Sequence, residues 1–188
     1  MTTILVDCKA QKIYADRQVT ELVDCPHRGQ FYGVERESIK KLHINESSGV
    51  VIAGAGSVSA IEEFVKLYPE VGTMYRTEPQ SASIFVVKAL KKGVRVVEYE
   101  YKKVTTSFWN SSWFGLFDKY PYGVVYLPTV VGHYSKGVDC LTLGSGEDIA
   151  RFLFREGHSV KDIFEMASRF DSGTGYDYDT VDLKDLAK

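Results

Sequence analysis

The chain begins Met1, Thr2, Thr3, Ile4, and Thr2 is the residue with the most direct chemistry on offer. Its side chain is small, so a methionine aminopeptidase can remove Met1 and leave Thr2 with a free α-amine beside its own hydroxyl. Nucleophile and general base would then sit on one residue, the amine taking the hydroxyl proton directly or through a water. A free α-amine titrates at about pKa 7.7–8.0, so a useful neutral fraction exists at physiological pH. With Met1 attached, the Thr2 nitrogen is an amide without a usable lone pair, and the base disappears. Other side chains offer less. Cys8 or Cys25 with His27 or His43 would make a cysteine–histidine pair, but none stands in a local nucleophile setting. Ser145, between Gly144 and Gly146, does not match the G-x-S-x-G elbow, whose second glycine stands one place further on.

The elements that must position these residues can be read from periodicity and punctuation. Two β-rich runs, ILVDC and KIYADRQVT, flank KAQ and predict an N-terminal hairpin. Pro26, Gly29 and Gly33 punctuate the segment before a strand near SIKKLHI, and a further strand is expected in GVVIAGAG. The period then changes. Val58, Ile61, Phe64, Val65 and Tyr68 fall at helical spacing, with Ser57 or Ser59 to cap and Pro69 to close, which predicts a helix from about Val58 to Leu67.

SIFVVKAL fits either a buried helix or a strand, whereas VRVVEYEYKKV alternates as a strand does. The following segment carries both tryptophans, Trp109 and Trp113, and such aromatics serve packing, an oligomer interface or a substrate-facing surface. VDCLTLGSG predicts a strand and EDIARFLFREG a helix. A second helix, SVKDIFEMASRF, starts at a Ser159 cap, and YDTVDL predicts a final strand. Strands and helices in this order argue for a layered α+β protein, and 188 residues suit one domain over 1–188.

Composition narrows the functional classes. Lys and Arg total 23 against 25 Asp and Glu, for a formal net charge of -2, so nothing suggests a grip on phosphate backbones. The three cysteines are widely spaced and include no C-x-x-C pair, so neither a disulfide framework nor a zinc site is indicated, and the cytoplasm is the expected compartment. No apolar run approaches the roughly 20 residues of a membrane helix, and no signal peptide is evident. G-x-G-x-x-G and P-loop patterns are absent, as are internal repeats, which disfavours nucleotide-cradling folds and any cofactor they would carry.

With these elements, five places along nearly the whole chain resemble the proteasome β-subunit and HslV-type family of N-terminal-nucleophile hydrolases. Thr2, Thr3 and Ile4 resemble its mature N-terminus, and IYADRQVT its Asp-containing segment, with Asp16 and Thr20 in place. SIKKLHI resembles the segment of the catalytic lysine, with Lys40 the better match and Lys41 adjacent. IAGAGSVSAIEEF resembles the turn into a central helix, placing Gly54 as the oxyanion donor. LTLGSGEDIA is the most specific match, with Ser145 as accessory serine, and ASRFDSGTGYDYDTVDL resembles the closing segment through Asp171, Thr174 and Gly175.

The resemblance implies a four-layer αββα sandwich, here with trimmed outer helices because the interval from Ser145 to Asp171 is short. It implies a threonine peptidase in which Thr2 attacks a peptide carbonyl, Lys40 favours the neutral amine, Asp16 holds that lysine, and Ser145 and Asp171 orient amine and water. Substrate would add as a strand beside Thr20 and Gly54. A homo-oligomeric ring, an ATP-dependent unfoldase partner and unfolded polypeptide substrates are implied as well. A catalytically inactive subunit serving as a ring-forming scaffold is the other reading that the same resemblance allows.

Overall fold

A computed structural model describes residues 2–25, 29–35, 40–70, 81–105, 124–135 and 137–186. The N-terminal hairpin is β1 (Thr3–Asp7) and β2 (Lys12–Asp16). A separate two-stranded ribbon follows, β3 (Val19–Cys25) on β4 (Gly29–Glu35). Next come β5 (Leu42–Asn45), β6 (Val50–Gly56), α1 (Val58–Leu67), β7 (Ala82–Ala89), β8 (Val94–Thr105) and β9 (Val124–Tyr134). The chain ends with β10 (Cys140–Gly144), α2 (Glu147–Arg155), α3 (Val160–Phe170), β11 (Tyr178–Asp182) and a 3-10 turn at Leu183–Leu186.

Two antiparallel sheets form the body. One has the order β10-β1-β2-β11 and the other β5-β6-β7-β8-β9. Strand alternation sends one set of side chains from each sheet into a shared core, where Ile4, Val6, Ile13 and Ala15 meet Val51, Ala53, Phe85 and Val87. The opposite face of the smaller sheet, through Leu5 and Cys140, packs on Ala150, Leu153, Ile163 and Phe164 of α2 and α3. On the larger sheet, Ile52, Ile84 and Val86 pack under Ala60, Ile61 and Phe64 of α1.

The expectation of a four-layer αββα sandwich is therefore corrected. Nine strands in two antiparallel sheets dominate, and among the described residues the helices are three, of only 9 to 11 residues. Ten helical residues lie on a five-stranded sheet, and Val130 and Val131 at its β9 edge stay exposed. SIFVVKAL resolves as a strand because both of its faces are buried, Ile84 and Val86 to one side and Phe85 and Val87 to the other. A long apolar run buried on both faces has neither the helix period nor strict alternation. β9 carries Pro128 within it, as an edge strand tolerates.

The predicted helix over Val58–Leu67 forms with those bounds. Ser159 caps α3 by accepting from the Asp162 N–H at 3.2 Å. Trp109 and Trp113 lie outside the described residues, as does Met1. Among the described residues no helix is long and apolar enough to cross a membrane.

Candidate active site

The start of β1, the end of β2, the end of β10 and the segment after α3 come together at one end of the smaller sheet. Pairing sets this meeting, with Thr3 opposite Gly144 and Asp16 opposite Tyr178. Thr2 and Thr3 are both buried there.

Asp16 organises one half of the site. It is fully buried, which a carboxylate tolerates only with donors around it. The Thr3 N–H donates to its Oδ1 at 2.7 Å, and the Gln18 and Gly175 N–H groups donate to its Oδ2 at 3.0 and 3.1 Å. The Lys41 ammonium donates to the same Oδ2 at 2.9 Å and to the Gln18 carbonyl at 2.5 Å. Burial pushes the Lys41 ammonium below its ordinary pKa, while Asp16, and Asp171 more weakly, pull the other way.

Here the sequence reading is corrected by one residue. Lys40 is exposed and Lys41 is 9 % exposed against Asp16. Only one of the two lysines faces the site, as alternation requires, and because β5 begins at Leu42 both lie before the strand and its period does not say which.

Asp171 organises the other half. It closes α3 as its C-cap, and its Oδ2 accepts from Ser145 Oγ at 2.6 Å and from Thr174 Oγ1 at 2.5 Å, with the Gly173 N–H on Oδ1 at 3.1 Å. Partial burial alone would raise its pKa, yet these three hydrogen bonds outweigh burial and hold the carboxyl below its usual range. Thr3 Oγ1 lies 2.5 Å from Thr174 Oγ1. A hydroxyl has one proton, and that of Thr174 is committed to Asp171, so Thr3 is the donor. The result is a directed chain, Thr3 to Thr174 to Asp171.

The glycines beside Ser145 are explained by close approach. Gly144 has φ +103°, and a Cβ on it would overlap the Thr2 carbonyl; a Cβ on Gly146 would run into Thr3 Oγ1 and Thr174 Oγ1. Gly54 has a different reason to be glycine. A Cβ there would lie 2.7 Å from Cγ1 of Ile61, so Gly54 lets α1 settle on β6, and its bare face turns away from the shared core. Further along β6, the Ala55 Cβ would lie 3.5 Å from a Cβ on Gly144, and Gly56 follows at φ +113° at the entry to α1. Thr20 pairs with Val34 in the ribbon, and its side chain lies outside the described ones.

Of the expected site residues, the structure thus joins Asp16 to the start of β1 and Ser145 to Asp171, and replaces Lys40 with Lys41. Thr174, Gln18 and the Gly175 N–H join as hydrogen-bond partners. Thr174 and Gly175 are already marked by the closing segment of the resemblance, whereas the Gln18 backbone groups leave no trace in side-chain spelling. Of the cysteine–histidine alternatives, His27 and the Cys25 side chain lie outside the described residues, which leaves Cys8 and His43. Cys8 is buried between the sheets with its thiol pushed up to about 11, chiefly by burial. His43 is lowered first by burial and then by Lys40, with Glu62 opposing. No three His, Cys, Asp or Glu among the described residues converge as metal ligands.

The arrangement presents two anchored carboxylates, one buried ammonium and three hydroxyls around the first residues of β1, a setting able to orient a nucleophile and carry a proton. No family model matches the chain, and no curated protein matches it.

Proposed function

We propose that the chain is a threonine peptidase of the N-terminal-nucleophile kind, similar to proteasome β-subunits and HslV, with Thr2 as nucleophile once Met1 is removed. The observation that carries this reading is the convergence of Asp16 with Lys41, and of Asp171 with Ser145 and Thr174, on the start of β1. In this scheme the Thr2 α-amine takes the hydroxyl proton and Oγ1 attacks the peptide carbonyl. The leaving amine of the substrate departs with that proton, an ester forms on Thr2, and water cleaves it.

Lys41 stabilises negative charge developing on the hydroxyl oxygen and, as a neighbouring cation, favours the neutral amine. Asp16 keeps Lys41 in place. Ser145, Thr174 and Asp171 orient amine and water. The oxyanion meets the Gly54 backbone N–H near the turn into α1. By the same reading the active form is a cytoplasmic ring of copies, and an ATP-dependent unfoldase delivers unfolded polypeptide to it.

The test is intact mass of the purified protein before and after a threonine-directed epoxyketone, with Thr2→Ala alongside. Loss of Met1 and a single adduct absent from Thr2→Ala are expected. Retained Met1 without an adduct overturns the peptidase reading and leaves a noncatalytic scaffold.

A further inference from the structure

A cavity of about 370 Å³ opens at the end of the molecule away from this site. It lies where β1 runs out into Cys8 and Lys9, where β10 begins after Asp139, and where the β7–β8 turn carries Lys92 and Gly93. The five steps from Thr3 to Cys8 put about 17 Å between the two places at a strand's rise per residue. This volume is within the range of small-ligand pockets.

Its chemistry is divided by depth. Val94, Val96 and Cys8 are buried and make an apolar floor, with Leu141 half-buried beside them. The rim is polar. Lys9 and Asp139 pair there at 2.9 Å, which neutralises one cation, whereas Lys92 is exposed and has no ion pair among the described residues. Ser135 and Tyr134 also line the cavity, the Tyr134 hydroxyl donating to Glu98 Oε2 at 2.9 Å.

Among the described residues the cavity sets one ammonium without an ion pair over an apolar floor, which fits a ligand with an apolar body and one negative charge. A dianion would bring a second charge for which the described lining has no unpaired ammonium, since Lys9 is held by Asp139, and a neutral apolar molecule would leave Lys92 unused. We propose that this cavity binds a small organic monocarboxylate, its hydrocarbon part against Val94 and Val96 and its carboxylate on Lys92. The proposal is independent of the peptidase reading, since no residue of the cavity belongs to the Thr2 site.

The experiment is a titration of the labelled protein with hexanoate and, separately, with hexanamide, read as amide shifts in proton–nitrogen correlation spectra. Hexanoate is expected to shift Lys9, Gly93 and Leu141, and hexanamide is not. Lys92→Ala should weaken hexanoate by about tenfold or more, the loss of one charge-assisted hydrogen bond, while Lys91→Ala should leave it unchanged. Both substitutions are on exposed side chains and leave the core intact. Equal shifts from acid and amide, an unchanged affinity in Lys92→Ala, shifts at Ser145 and Gly175 instead, or no shift at millimolar hexanoate would each overturn the proposal.

Discussion

Asp16 and Lys41 are buried together with opposite charge, and their neighbours determine what each costs. Asp16 accepts three backbone N–H groups besides the ammonium, so removing the lysine leaves it hydrogen-bonded but without a counter-charge. Lys41→Met is expected to destabilise the fold by about 3–5 kcal/mol, the usual effect of breaking a buried pair. Lys40→Met, at an exposed position, should stay within about 0.5 kcal/mol. Urea denaturation of the two variants measures this difference, and equal midpoints would refute the placement of Lys41. The lysine pair was visible as a pair in the sequence. Which member turns inward depends on where β5 begins, and a run of four strand residues gives too short a period to say.

At the scale of elements, the Gly-Ser-Gly turn between β10 and α2 is a fitted joint. Both glycines are small because Thr2 and Thr3 press on them, and Ser145 between them reaches Asp171 at the end of α3. Gly146→Ala is expected to displace the Thr3 and Thr174 hydroxyls, to cost about 1–3 kcal/mol as overpacking does, and to abolish any Thr2-dependent adduct. Thermal unfolding with adduct mass checks both, and an unaltered variant would mean that the joint has slack.

Elements with a clear period were legible. The apolar stripe of α1 and the Ser159 cap of α3 are local features of the sequence, whereas Ser57 stands at the N-cap position of α1 without a side-chain cap hydrogen bond. β4 and β9 are not expected from the sequence, because Gly29 and Gly33 read as turn punctuation and the first residues of β9, up to Pro128, close the aromatic segment of Trp109 and Trp113. Their pairing with β3 and β8 is what makes them strands.

For the whole molecule, stability rests on the apolar layer between the two sheets. Phe85 is 2 % exposed there, whereas Phe152 on α2 is 63 % exposed. Phe85→Ala should therefore cost about 3–5 kcal/mol and Phe152→Ala less than about 0.5 kcal/mol. Chemical denaturation of both variants tests whether the shared layer is the main core. The same layer separates two ends of different character, the Thr2 site at one and the carboxylate cavity at the other, joined along β1 and β10.

Local spelling by itself determined the N-terminal hairpin, α1, the two C-terminal helices and the turn at Ser145, because each depends on side chains a few residues apart. Asp16, Ser145 and Asp171 were singled out by the resemblance to the proteasome β-subunit and HslV family, not by local spelling. Only the tertiary structure decided that Lys41 and not Lys40 meets Asp16, that Gly54 serves packing under Ile61, and that strands outweigh helices. These depend on contacts between residues far apart in the chain. Asp16 reaches Gly175, and Thr3 reaches Thr174, across more than 150 residues, and which strands pair is set by burying two sheet faces at once rather than by any one segment.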